Sequence, residues 1–149
     1  MAEEFRIALG ADHGGFELKE KVRRYLADKG HHLEDLGTHS AESVDYPDFA
    51  RKVAEAVAAK HADFGIVICG TGLGVAMTAN KVRGIRAAPC NDTISARFAR
   101  SHNNANVLTM GGRLIDLGTA QKILDIFLST PFEGGRHQRR VEKIAAVEG

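Results

Sequence analysis

A chain of 149 residues, 44% apolar and 26% charged, has the length of a single domain and the composition of a globular protein able to bury a core. A formal net charge of +1, no Trp and only two Tyr leave neither the basic field nor the aromatic surface that nucleic-acid binding draws on, so no nucleic-acid partner is expected. The opening "MAEEF" is acidic where a secretory leader would be basic, no apolar run approaches a membrane span, and Cys69 and Cys90 are expected as free thiols; the expected location is the cytoplasm, with no membrane partner.

In chain order, short apolar runs alternate with amphipathic stretches. Residues 5–12, "FRIALGAD", read as a strand ending in Gly and Asp. Over 16–30, Phe16, Leu18, Val22, Tyr25 and Leu26 recur at helical spacing, and Gly30 supplies a stop. A weak strand is expected over 31–37, then a helix over 45–62 with Pro47 in its first turn. "FGIVICG" (64–70) is the best buried strand, and a helix follows over 74–82. Strand 84–90, helix 92–103, strand 105–112, helix 117–130 and a last helix after the Gly134-Gly135 pair complete the chain. No repeat, low-complexity segment or interdomain linker interrupts this order. Five strands separated by helices predict an α/β fold with a parallel sheet covered on both faces.

In open α/β sheets ligands bind beyond the carboxyl ends of the strands. Asp12-His13-Gly14-Gly15, Cys69 to Gly74, Asn91-Asp92 and Gly111-Gly112-Arg113 all fall at such ends. The glycine turn "CGTGLG" is not a dinucleotide fingerprint, since Val75 stands where the third glycine belongs. It lacks a Walker lysine and the second thiol of a C-x-x-C redox pair. A thiol between a strand end and a helix start suits a different task, removal of a proton from a substrate. The amides of Gly70, Gly72 and Gly74 lie in the same turn to hold a developing oxyanion. A buried structural cysteine beside packing glycines stays open at this stage. The seven histidines form neither H-x-H nor H-E-x-x-H, so neither a catalytic metal nor a cofactor is expected.

Five segments, "GADHGGFELK" (10–19), "DYPDFA" (45–50), "CGTGLGVAMTANKVRGIRAA" (69–88), "SHNNANVLTMGGR" (101–113) and "EGGRHQRRVEKI" (133–144), resemble type B ribose-5-phosphate isomerases in the same order along nearly the whole chain. The wider family includes allose- and galactose-6-phosphate isomerases. The resemblance implies a three-layer αβα, Rossmann-like fold with strand order 2-1-3-5-4. It implies one isomerase domain over 1–149 and metal-independent interconversion of ribose 5-phosphate and ribulose 5-phosphate, a step of the non-oxidative pentose phosphate pathway. It also implies a homodimer, or a dimer of such dimers, with sites at its interface reached by the segment from about residue 133 onward.

Residue by residue, Cys69 matches the family's base, acting through an enediolate. Members without that cysteine use a glutamate in the next helix, where this chain has Val75 and Ala76. Thr71 and the Gly70, Gly72 and Gly74 amides match the groups holding the enediolate oxygens. His102 matches the ring-opening residue, with Asp12 near it, and Asn103 matches a neighbour that binds a sugar hydroxyl. Tyr46 matches a residue lining the sugar pocket, with Asp45 beside it. His13 and Arg113 match positions around the phosphate, as do Arg136, His137 and Arg140, these last three contributed by a partner subunit. The residue types suit the chemistry: an aldose–ketose exchange needs a base, an oxyanion field, an acid/base pair and a guanidinium clamp for phosphate. Taken alone, "GRHQRR" would equally make a solvated basic face, His102 a helix terminus and Asp12 a helix cap. Two other functions stay open: isomerisation of a six-carbon sugar phosphate, and a non-catalytic module binding a phosphosugar or nucleotide.

Overall fold

The computed structural model describes residues 3–149; Met1 and Ala2, part of the stretch read for a leader, lie outside the described residues. The elements run β1 (Arg6–Ala11), α1 (Phe16–Asp28), β2 (His32–Asp35), α2 (Tyr46–Ala58), β3 (Phe64–Cys69), α3 (Leu73–Ala79), β4 (Ala87–Pro89), α4 (Thr93–Ser101), β5 (Val107–Gly111), α5 (Leu117–Ser129) and α6 (Arg136–Ala146). All pairings are parallel, in the order β2-β1-β3-β5-β4, as the resemblance implied.

Both faces of the sheet are apolar, which is why the central strands read as unbroken hydrophobic runs rather than alternating ones. On one face Val53, Val57, Val75 and Ala79 of α2 and α3 pack on Val67, Cys69 and Val107. On the other, Leu18, Val22 and Leu26 of α1, Ala96 and Ala99 of α4 and Ile123, Leu124 and Phe127 of α5 pack on Ile7, Leu9, Ile66, Ile68, Leu108 and Met110. The three layers are therefore α2–α3, the sheet, and α1–α4–α5. α6 buries His137 and Val141 against its own chain and leaves Arg136 and Arg140 exposed.

The boundaries depart from the sequence expectations for local reasons. Strand 84–90 shrinks to three residues, because side chains take the place of a partner strand before it. Asn106 accepts from the Arg86 amide at 2.8 Å and donates to the Gly84 carbonyl at 2.9 Å. Asn80 does the same for both backbone groups of Ala87. The helix expected over 45–62 stops at Ala58, where Lys60 takes a positive φ of 66°. The α1 pattern also hides a charge: Lys19 is fully buried, its ammonium bound by Asp35 at 2.7 Å and Glu20 at 2.8 Å. No helix among the described residues is long and apolar enough to cross a membrane.

Candidate active site

Four chain segments meet at the carboxyl edge of the central strands. The β3 strand delivers Cys69 to that edge, 5% exposed. Gly72 turns the backbone at a φ of 84°, a conformation that disfavours side chains. That turn points the Gly72 amide back, so that it donates to Cys69 Sγ at 3.2 Å. Thr71, exposed, accepts the Leu73 amide through its hydroxyl at 3.3 Å.

The β1–α1 turn lies directly against this one. Its Asp12 carboxylate is buried and accepts from the Gly15 amide at 3.1 Å. This bond closes the turn, whereas Gly15 itself is the N-cap of α1 and no side chain caps the helix, so the cap expected of Asp12 is not formed. The Asp12 amide donates to the Ile68 carbonyl at 3.3 Å. Gly14 packs so near Gly70 that a Cβ on it would sit 3.2 Å from the Gly70 nitrogen. His13 accepts the Val44 amide on Nδ1 at 3.1 Å, which leaves Nε2 to carry the proton of a neutral ring. The same bond draws in the loop that leads through Asp45 to Tyr46. The Tyr46 ring covers Gly74, where a Cβ would meet it at 2.5 Å. The Arg113 guanidinium lies over Gly70, with Nη1 3.3 Å from the equivalent point, and its backbone amide donates to the Gly70 carbonyl at 3.0 Å. Asp12, His13, Tyr46, Cys69, Thr71, the glycines 70, 72 and 74 and Arg113 therefore form one cluster, with Asp45 at its rim.

His102 and Asn103 do not join it. α4 carries the chain from the carboxyl end of β4 back to the amino end of β5, and His102 follows its last turn. Asn103 accepts from Arg86 Nε at 3.1 Å, just before β4. On the order of 15–20 Å of strand separates the two edges. His102 instead stacks on His137, ring centroids 4.1 Å apart and planes 11° from parallel. Glu133 Oε1 lies 3.5 Å from His137 Nε2. Burial, with the neighbouring His102 and Arg136, holds the His137 imidazole below the usual histidine range. Arg136 and Arg140 extend from the same helix face into solvent. One chain thus displays a thiol–carboxylate–arginine cluster at one edge and an imidazole–arginine cluster at the other.

Asn91 is a residue the sequence reading placed on the right edge without a role. Its amide donates to the Thr71 carbonyl at 3.1 Å, and its oxygen accepts from the Gly111 amide at 2.8 Å. The Thr109 hydroxyl, fully buried, holds the Gly72 carbonyl at 2.6 Å. Together they pin the Cys69 turn to β5. Replacing Asn91 with Ala is expected to keep the fold, since Asn91 is partly exposed, while kcat falls about ten- to a hundredfold with little change in KM. Steady-state kinetics on the purified variant check this split.

The two thiols have different fates. Both are free, and they sit in the cores on opposite faces of the sheet. Burial, and then the Asp92 charge, push the Cys90 thiol up to about 12. It is inert at neutral pH, and no Cys69–Cys90 pair is formed.

Comparison with known proteins places this arrangement in a family. Residues 7–144 match the family model described as Ribose/Galactose Isomerase. Ribose-5-phosphate isomerase B of Escherichia coli is 48% identical over 143 residues, 96% of each chain. Among solved structures, a ribose 5-phosphate isomerase from Thermotoga maritima is 57% identical with a TM-score of 0.95, covering 97% of this chain and 99% of that one. Ribose-5-phosphate isomerase B from Mycoplasma genitalium, solved with bound ribulose 5-phosphate, is 45% identical with a TM-score of 0.92, over 96% and 95% of the two chains. Matched along nearly its whole length in sequence and in fold, the chain belongs to the ribose/galactose isomerase family.

Proposed function

We propose that this chain interconverts D-ribose 5-phosphate and D-ribulose 5-phosphate by proton transfer through an enediolate, with Cys69 as the base. The observation that carries the reading is the Cys69 thiol held by the Gly72 amide at 3.2 Å, inside a turn packed against Asp12 and Arg113. In the open-chain aldehyde, the Cys69 thiolate takes the C2 proton, and the turn amides and Thr71 hold the charge that moves onto oxygen. A proton passes from O2 to O1, and the proton held on the Cys69 sulfur is delivered to C1, giving the C2 ketone and C1 hydroxyl of the ketose and regenerating the thiolate.

A cyclic sugar must first be opened, and its phosphate must be held. His102, Asn103, Arg136, His137 and Arg140 are assigned to those tasks. They lie at the far sheet edge of their own chain, so the site is completed by a second copy, whose imidazole–arginine cluster faces the Cys69 turn. The exposed apolar side chains support such pairing. Leu73 and Met77 of α3, Ile94 and Phe98 of α4, Ile144 of α6 and Val147 just after it are all exposed, and α3 and α4 flank the short edge strand β4. Large apolar residues gathered around one edge mark an interaction surface, and a two-fold pair of identical chains is the commonest way to cover one. His13 and Arg113 meet the phosphate from the first chain. A location in the cytoplasm agrees with this metabolic role.

The test is turnover by the purified full chain with a chelator present, using ribose 5-phosphate beside allose 6-phosphate and galactose 6-phosphate. Ribulose 5-phosphate formation as the fastest of the three reactions is the expected result. Faster turnover of a six-carbon sugar would reassign the substrate, and binding without turnover of any of them would overturn the enzymatic reading.

A further inference from the structure

His137 holds an atom that the fold leaves without a partner. Its side chain is 8% exposed, and Nε2 has no hydrogen-bond partner among the described residues. A buried nitrogen in that state is costly unless something occupies the space beside it. Two other groups converge there: a ring nitrogen of His102, a carboxylate oxygen of Glu133 and a nitrogen of His137 all lie within 4.8 Å of one another. The backbone fixes them in place. The Glu133 amide donates to the Ser101 carbonyl at 3.0 Å and the His137 amide to the Gly134 carbonyl at 3.0 Å, tying the end of α4 to the start of α6.

Two imidazoles and one carboxylate are a common donor set for zinc, with the remaining coordination position left to water or substrate. Tetrahedral coordination at about 2.0–2.2 Å brings its donors somewhat closer together than they stand here. The approach swings the Glu133 carboxylate inward and tips the His102 ring out of its stack between Phe98, 4.6 Å away, and His137, 4.1 Å away. Glu133 is exposed and His102 partly so, and apart from the Glu133–His137 contact neither head group has a hydrogen-bonded partner among the described residues. Hard cations such as Mg2+ prefer all-oxygen sites, and this one offers two nitrogens. The nearby charges of Arg136 and Arg140 oppose a cation, so the site suits reversible occupancy rather than a permanent structural ion.

We propose that His102, Glu133 and His137 form a binding site for a divalent transition metal of the zinc type. Resting on the function proposed above, the consequence is inhibition: a metal on the His102 and His137 nitrogens removes the groups assigned to ring opening and phosphate binding. A chelator then raises turnover in metal-contaminated preparations rather than lowering it.

The direct test uses the full chain as Cys69→Ser, which removes zinc binding by that thiol, titrated with Zn2+ against a colorimetric indicator. About one zinc ion per chain is expected, with Glu133→Gln weakening it about tenfold or more and Mg2+ failing to compete. In the chain with Cys69 intact, Glu133→Gln should keep basal turnover and need about tenfold more Zn2+ for half inhibition. No zinc bound by the Cys69→Ser chain, or equal zinc affinity with and without Glu133, would overturn the site. The titration reads binding alone, so it decides the matter even if the chain proves inactive on ribose 5-phosphate.

Discussion

Cys69→Ala is expected to lower kcat for ribose 5-phosphate by about a thousandfold or more, at the upper end of what one general base contributes. The size follows from the absence of a substitute. Val75 and Ala76 occupy the helix that follows the turn, so no carboxylate there can take over the proton. Asp12 is the other acidic group in the cluster, but its Oδ1 is committed to the Gly15 amide. The substitution leaves the scaffold intact: one small side chain is shortened, and the Gly72 amide loses a single acceptor, a cost of about 1–3 kcal/mol for a buried donor. Circular dichroism and the thermal midpoint identify a folded variant, and turnover by that variant near the wild-type rate would assign the proton to another residue. Cys90 offers no rescue, since it is 1% exposed and lies in the core of the other sheet face.

The second large effect is structural and falls on the turn that supports the thiol. In Gly15→Ala the new Cβ lands on the carbonyl of Ile68, the residue before Cys69. This is backbone of the central strand, not a side chain that can swing away. Either β3 moves, taking Cys69 with it, or the β1–α1 turn lifts, taking Asp12 and His13. We expect a loss of about 3 kcal/mol or more, well above an ordinary substitution, read as a lower urea midpoint. Gly118→Ala is the matched control. Its Cβ would meet only Asp116 Oδ1 at 3.6 Å, in the first turn of α5, and alanine favours a helix, so the midpoint should hold or rise. Equal midpoints for Gly15→Ala and wild type would show that the turn is loosely packed and that its glycine is incidental.

Much of this arrangement was legible in the residues, and what was missed has definite causes. Alternating apolar runs and amphipathic stretches place each strand and helix, because a sheet buried on both faces requires them. The carboxyl-edge cluster follows from the same pattern: Asp12, Cys69 and Arg113 each stand just after a strand. His102 needed one more step. It reads as the end of a helix between parallel strands, and such a helix returns the chain to the amino edge, so its separation from Cys69 was already implied. Asn91 and Thr109 act across strands that are distant in sequence, and their contacts with the Thr71–Gly72 turn appear only once β5 is known to lie between β3 and β4. Lys19 reads as one more polar position on an amphipathic helix; only the register of β2 beside β1 brings Asp35 to meet it. Glu133 precedes a glycine pair with no pattern of its own, and its place beside His137 depends on the fold of that turn.

The proposed shared site is tested most directly by mixing two inactive variants. Cys69→Ala lacks the base, and His102→Ala lacks the imidazole assigned to ring opening. Each is prepared alone, and the two are unfolded and refolded together so that mixed dimers form. If the Cys69 turn of one subunit works with the partner subunit's His102, each mixed dimer contains one intact site, and the mixture regains about a quarter of wild-type turnover. No regain, in a preparation shown by native mass spectrometry to contain mixed dimers, would mean that both residues serve a site within one chain and would contradict the composite site.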